Sequence, residues 1–288
     1  MTTTTPGGSL TLAEDLTLSR MGYGAMQLAG PGVFGPPKDR DQAVAVLREA
    51  VRLGVTHIDT ADFYGPAVVN ELIRQALHPY PDDLRIVTKV GATRGGDGSW
   101  IMARSRQDLV DQVHANLTHL GVEALDVVNL RVGGHTEPTE EPLAESFGVL
   151  AELRRQGLIR HLGVSGVTSA QLTEAQGVAP VVTVQNLYNI AQRGDDALVD
   201  RCAREGIAFQ PFFPLGGFTP LQSDALDQVA ARIGATPQQV ALAWLLRRSA
   251  TMTVIPGTSS PDHLRENIAA ADLVLTEDTL TALDAIGA

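Results

Sequence analysis

Three side chains in this sequence could together move a proton. Asp59 and Tyr64 lie in the run His57-Ile-Asp-Thr-Ala-Asp-Phe-Tyr-Gly65, and Lys89 closes the run Ile86-Val-Thr-Lys89. A phenol with an ordinary pKa near ~10 is a poor acid at neutral pH. An ammonium beside it favours the phenolate and pulls that pKa down, while a carboxylate keeps the ammonium charged and oriented. Such a trio suits carbonyl reduction, in which a hydride reaches carbon and a proton is given to the forming alkoxide. General acid catalysis contributes about 10²–10⁴-fold to a step of this kind.

These groups act together only if the fold brings them together, and the surrounding pattern says how. Short β-rich runs alternate with amphipathic helical stretches. Strands are expected at Arg20–Tyr23, Val55–Ile58, Arg85–Thr88, Leu125–Leu130, His161–Val164, Val181–Val184, Ala208–Gln210 and Met252–Ile255. Helical spacing joins Ala43, Val44, Leu47, Ala50 and Val51, and again Leu109, Val113, Leu117 and Leu120. This alternation implies right-handed crossovers and a parallel sheet. Eight such strands predict an α/β fold closed as a (β/α)8 TIM barrel. Leu10–Ala13 and Leu16–Ser19 flank Glu14-Asp15 and read as an N-terminal β-hairpin capping the barrel floor. Residues 1–9 read as a flexible tail and residues 10–288 as a single barrel domain, with no linker or charge block dividing them.

On that frame the polar residues fall in one place. Asp59 follows the second strand, Lys89 the third, Arg131 the fourth, Ser165 the fifth and Gln185 the sixth; Phe212 follows the seventh and Gly257-Thr258 the eighth. All stand at carboxyl ends, where a barrel of this kind carries its active site. Any one alone could be a turn cap or a solvated loop residue, but together they form a ring on one rim.

Composition narrows the partners. The net charge of −11 repels nucleic acid and anionic membranes, so neither is expected and a small molecule is. Cys202 is the only cysteine, which rules out an internal disulfide and fits a reducing cytoplasm; it should fill space beside Val199. No apolar run reaches the roughly 18 residues of a membrane span. His114 and His119 lack metal-ligand spacing, and no metal is expected. Gly30-Pro-Gly-Val-Phe-Gly35 has the spelling of a dinucleotide-binding loop, but its proline stops it from opening a helix, so it reads as a rim loop with room for substrate contact. Asn116-Leu-Thr118 is a glycosylation sequon by spelling only, since it lies inside a helical pattern. Oligomeric state is not readable.

At these residues the sequence resembles the aldo-keto reductases over nearly its whole length. The run from His57 to Gly65 is similar to the family's Asp-Thr-Ala-x-x-Tyr-Gly motif, and Ile86–Lys89 to its lysine-bearing strand. The resemblance implies that Tyr64 is the acid, that Lys89 tunes it and that Asp59 holds Lys89. Gly163-Val-Ser165, Val184-Gln185-Asn186 and Phe212-Phe-Pro-Leu215 resemble the segments that hold a nicotinamide. Ser165 and Gln185 would fix its amide and Phe212 would stack on its ring, with Pro214 and Leu215 beside it. Ile255-Pro-Gly-Thr-Ser-Ser-Pro-Asp-His-Leu-Arg-Glu-Asn267 resembles the adenosine-binding segment, with Glu266 and Asn267 at the adenine.

The departures from the family are specific. Arg131 stands where the family has a catalytic histidine; it can clamp a developing oxyanion but cannot release a proton at working pH. His135 is the nearest histidine to that position. A nicotinamide-binding regulatory protein with vestigial activity, or another barrel enzyme, therefore stays open beside an active reductase. Gly257 and His263 replace a lysine and an arginine common in the adenosine segment, so a 2′-phosphate would rest on Thr258, Ser259, backbone donors and His263. NADP(H) is preferred because those hydroxyls precede a helix start at Pro261-Asp262; NAD(H) stays open. The stretches Gly22–Pro37, Asn129–Arg131 and Pro211–Leu221 resemble a bacterial branch that includes pyridoxal reductases, which implies reduction of pyridoxal to pyridoxine. Phe34, Phe63 and Trp100, expected in rim loops, would line a pocket for such an aromatic aldehyde.

Overall fold

The computed structural model describes residues 5–134, 138–217, 221 and 223–287. A seven-stranded parallel sheet runs in the order β11-β10-β9-β8-β5-β4-β3. Its strands are β3 (Tyr23–Gly24), β4 (His57–Asp59), β5 (Arg85–Val90), β8 (Leu125–Arg131), β9 (Ile159–Ser165), β10 (Thr183–Gln185) and β11 (Ala208–Phe209). An eighth stave closes the barrel through parallel bridges, from Met252 to Phe209 on one side and from Val254 to Met21 and Gly257 to Gly24 on the other. The fold is the expected (β/α)8 barrel, but this last stave makes single bridges where a regular strand was expected. Several strands also start later than their apolar runs. The Val55 N–H, for example, donates to the Ala50 carbonyl at 3.1 Å and closes the preceding helix before β4 can begin.

The surrounding helices are α1 (Arg40–Arg52), α2 (Val68–Leu77), α3 (Arg106–Leu120), α4 (Ala144–Arg155), α5 (Ser169–Val178), α6 (Asp196–Glu205), α7 (Asp224–Ile233), α8 (Pro237–Arg248), α9 (Pro261–Ala269) and α10 (Glu277–Asp284). Local chemistry fixes their starts. Ser105 with Asp108, Thr168 with Gln171, and Thr236 with Gln239 form capping boxes on α3, α5 and α8, each satisfying two backbone donors reciprocally. Leu47 of α1, Leu72 and Ile73 of α2 and Leu109 and Val113 of α3 lie buried in the layer between helices and strands.

The floor is capped as expected by an antiparallel hairpin of β1 (Ser9–Ala13) and β2 (Leu16–Ser19). Leu16 and Leu18 plug the barrel by packing with Val87 and Val127. Of the tail expected over residues 1–9, positions 1–4 lie outside the described residues, and the rest is not loose. Pro6 accepts from the Met21 N–H at 3.2 Å, Gly8 accepts from the Arg20 N–H at 2.9 Å, and Ser9 already pairs with Ser19. Among the described residues no helix is long and apolar enough to cross a membrane.

Inside the barrel, side chains pointing inward stack in layers, since alternate residues of a strand share a face. Val87 and Val127 are in register at the floor, Lys89, Asn129, Gly163 and Thr183 in the next layer, and Arg131, Ser165 and Gln185 at the rim. The middle layer is polar. Thr183 Oγ1 donates to Asn129 Oδ1 at 2.6 Å, and a Cβ at Gly163 would meet both atoms at 1.9 Å, so only glycine fits between them.

Candidate active site

The strand ends deliver the polar residues to one rim. Asp59, Arg131, Ser165 and Gln185 are the last residues of β4, β8, β9 and β10, while Lys89 is the penultimate residue of β5. Lys89 Nζ donates to Asp59 Oδ1 at 2.5 Å and to the Thr60 carbonyl at 2.9 Å. Gln185 Nε2 donates to Asp59 Oδ2 at 2.8 Å, so both carboxylate oxygens are engaged. Tyr64, on the loop after β4, lies with its ring centroid 5.1 Å from Lys89 Nζ.

Electrostatics follow from this burial. Desolvation opposes the charge on Lys89, but Asp59 and then Tyr64 more than offset it and hold the ammonium above its ordinary pKa. Tyr64 differs from the sequence reading. Burial raises its phenol above the ordinary value and outweighs the opposing pull of Lys89 and Arg131, so the expected lowering does not occur. Arg131 Nη1 donates to Ser165 Oγ at 3.2 Å, Nη2 donates to the Gly134 carbonyl, and the guanidinium carbon lies 5.0 Å from the Phe212 ring centroid. Burial lowers its pKa from a value so high that it stays charged. His135 lies outside the described residues.

A cleft of about 600 Å³ opens across this rim, bounded by Asp59 and Tyr64 at one end, Phe212 and Leu215 along a wall, and Gly257 and Ser259 at the other end. Pro214 also lines it, as do Gly30 to Val33, which places the start of the expected rim loop in the cleft wall. Lys89, Ser165 and Gln185 are buried beneath that surface. At the far end, Gly257 and Gly24 cross so closely that a Cβ at Gly257 would meet the Gly24 carbonyl at 2.8 Å. A lysine there would force the two strands apart. Thr258 is buried and its Oγ1 accepts from the Ser260 N–H at 3.0 Å, so its hydroxyl serves the turn more than the cleft. His263, in the first turn of α9, and Glu266, further along it, are exposed, and Asn267 is buried.

The site fits a nicotinamide amide on one count that owes nothing to motif. Gln185 is 1% exposed and its Oε1 has no hydrogen-bond partner among the described residues. A buried acceptor left so costs about 1–3 kcal/mol, which an amide donor would recover.

The aromatic rim is more ordered than loops would be. Trp100 belongs to a hairpin that sequence reading missed, β6 (Ala92–Arg94) with β7 (Trp100–Met102). Phe63 stacks edge-on against Tyr64 at 5.4 Å and against Trp100 at 5.5 Å, and is buried; Phe34 is 37% exposed. Arg94 lies 4.1 Å from the Trp100 ring centroid and 5.3 Å from that of Phe34, and donates to the Val33 carbonyl at 2.7 Å. It thereby ties the hairpin to the cleft wall. The Gly95-Gly-Asp-Gly98 turn was the available signal for this hairpin.

A second missed group lies behind Asp59, Tyr64 and Lys89. Thr60 Oγ1 donates to Asn70 Oδ1 at 2.8 Å, Asn70 Nδ2 to Asn116 Oδ1 and to Asp62 Oδ1, both at 3.0 Å, and Thr88 Oγ1 to Asn116 Oδ1 at 2.6 Å. Thr60 follows Asp59, Thr88 precedes Lys89, and Asp62 sits on the Tyr64 loop. The sequon asparagine is thus fully buried, as a strut between helices α2 and α3 and the two strand ends. Its place in the apolar spacing of Leu109, Val113 and Leu117 was the only hint in the sequence.

Comparisons with known proteins point to one family. The model of the aldo/keto reductase family matches residues 20–288. Pyridoxine 4-dehydrogenase of Escherichia coli (strain K12) is 60% identical over 272 residues, which cover 94% of this chain and 95% of that protein. The solved structure of the thermostable aldo-keto reductase Tm1743 with the inhibitor epalrestat matches with a TM-score of 0.81 at 31% identity, over 95% of this chain and 97% of its own. An aldo/keto reductase from Klebsiella pneumoniae, solved with NADP and acetate, matches with a TM-score of 0.78 at 25% identity, over 96% and 94%.

Proposed function

This chain belongs to the aldo/keto reductase family and is an oxidoreductase, and on that premise we propose that it reduces pyridoxal to pyridoxine with NADPH. The observation that carries the chemistry is the buried Asp59–Lys89 pair at 2.5 Å beneath the Tyr64 phenol, beside a cleft of about 600 Å³. The substrate rests on the relative whose name describes the same conversion run as an oxidation. NADPH rests on the relative solved with NADP and on the hydroxyls of the adenosine segment.

When bound, a reduced nicotinamide would supply the hydride that reaches the carbonyl carbon. Tyr64 gives its phenolic proton to the carbonyl oxygen, and the Lys89 ammonium stabilises the phenolate left behind. Asp59 keeps Lys89 charged and in place, and is itself held by Gln185. Arg131 offers guanidinium donors to the developing negative charge without giving up a proton. Gln185 and Ser165 would orient the carboxamide, and Phe212 would pack against the ring it belongs to. Pro214 and Leu215 line the middle of the cleft, and Gly257, Thr258, Ser259, His263, Glu266 and Asn267 take the adenosine end. Phe34, Phe63 and Trp100 form the substrate wall.

The test is loss of reduced-nicotinamide absorbance with pyridoxal, a simple aromatic aldehyde and a ketone as parallel substrates, and NADH as the control. Preference for pyridoxal with NADPH is expected, and Tyr64→Phe should cut turnover by about 10²–10⁴-fold while NADPH still binds. Activity on the simple aldehyde alone would remove the vitamin substrate. Binding without turnover in the unmodified protein would favour a regulatory role.

A further inference from the structure

The chain contains only two lysines, Lys38 and Lys89, beside its arginines and seven histidines. Both belong to the cleft. Lys89 is buried beneath it, and Lys38 lines it while exposed to solvent. Among the described residues Lys38 is the one lysine or arginine that lines the cleft, and it makes no hydrogen bond or ion pair. The two acids that share the lining are already committed. Asp59 holds Lys89, and Asp39 caps α1 by accepting from the Gln42 N–H at 2.9 Å.

The position of Lys38 is fixed from across the cleft. Gln42 Nε2, on the first turn of α1, donates to the Ser259 carbonyl at 2.7 Å and so ties the start of that helix to the adenosine segment. Lys38 directly precedes the Asp39 cap, and it lines the cleft together with Ser259. The adenosine segment itself offers no lysine or arginine to the cleft, and Gly257 has no room for one against the Gly24 carbonyl. In a protein of net charge −11 a phosphate dianion is repelled at long range, so a local cation decides whether it stays.

Taking NADPH from the proposed function, we propose that Lys38 is the cation that holds the 2′-phosphate, supplied from the connection before α1 in place of the adenosine segment. A charge-assisted contact of an ammonium with a phosphate is stronger than the neutral hydroxyl contacts beside it. NADH lacks that phosphate and should not sense Lys38.

Fluorescence titration of the protein with NADPH and with NADH, without carbonyl substrate and at two salt concentrations, tests this. Lys38→Ala should weaken NADPH binding by about 10-fold or more, leave NADH within about twofold, and flatten the salt dependence of NADPH binding. Lys38→Arg should keep most of the NADPH affinity. An unchanged NADPH affinity in Lys38→Ala would overturn the inference, and so would an equal loss for both nucleotides, which would place Lys38 at a phosphate they share. Failure of the unmodified protein to bind either nucleotide would instead remove the nicotinamide reading itself. Because Lys38 is exposed, unchanged thermal unfolding of the variants should accompany all of these measurements.

Discussion

Tyr64 shows how far one residue's chemistry depends on its surroundings. Its two cations, Lys89 and Arg131, pull the phenol towards ionisation, and burial wins against both. The acid form is therefore full at neutral pH. A phenol of raised pKa still gives its proton readily to an alkoxide, which is far more basic. The two directions of the reaction should then part with pH. In the mechanism proposed above, reduction needs the protonated phenol, which is lost only as pH rises through the raised pKa. Its rate should stay level through neutral pH and fall only above about 10, the ordinary phenol value. Oxidation of the alcohol needs the phenolate and should climb as pH rises over the same range. Turnover profiles in both directions check this, and a fall in the reduction rate already near neutral pH would contradict the buried phenol.

At the scale of elements, the trio depends on struts that touch no substrate. Asn116 of α3 accepts from both Asn70 of α2 and Thr88 of β5, and these three residues are fully buried. Asn116→Ala leaves those donors without this acceptor and opens a small hole between helix and strand. Leaving buried polar groups unsatisfied costs about 1–3 kcal/mol each, so a loss of about 2–4 kcal/mol is expected in denaturant unfolding. Val274→Ala, at a site 85% exposed, should stay within about 0.5 kcal/mol and serves as the control. Equal small losses would show that the network is redundant. The rim elements carry strain of another kind. Val33, Ala67 and Phe213 are the non-glycine residues with positive φ among the described residues; Val33 and Phe213 line the cleft, and Ala67 caps α2. Backbone held in that region is costly and persists where surrounding contacts over-determine it. The Arg94 bond to the Val33 carbonyl and the Ala67 N–H bond to the Asp62 carbonyl are two such contacts.

For the whole molecule, the polar barrel interior sets a response to acid. His57 is fully buried, its Nε2 accepting from Gln210 Nε2 at 2.8 Å. Desolvation lowers its pKa to about 4, against the opposing pull of Asp59. The unfolded chain binds a proton at His57 below about 6.5, and the folded protein does not until about 4. Stability from this group is therefore level above pH 6.5 and falls as pH drops from there towards 4, by about 3 kcal/mol in all. His57→Gln, which keeps an acceptor for Gln210, should remove that part of the slope when unfolding is measured at pH 7 and pH 4.5. Parallel losses in the two proteins would mean that His57 does not titrate in this range.

The alternation of strand and helix, the hairpin under the floor and the placement of Asp59, Lys89, Arg131, Ser165 and Gln185 at strand ends were all legible in the sequence. Each depends on local rules, namely hydrophobic period, capping and position along one strand, which neighbouring residues already contain. Barrel closure decided the rest. It brought Gln42 to Ser259 across 217 residues and Asn70 to Asn116 across 46, and no local pattern encodes such meetings. It also decided the sign of the Tyr64 shift. The sequence supplied the charges near that phenol, but only the packed fold fixes how much water they displace, and desolvation is the larger effect.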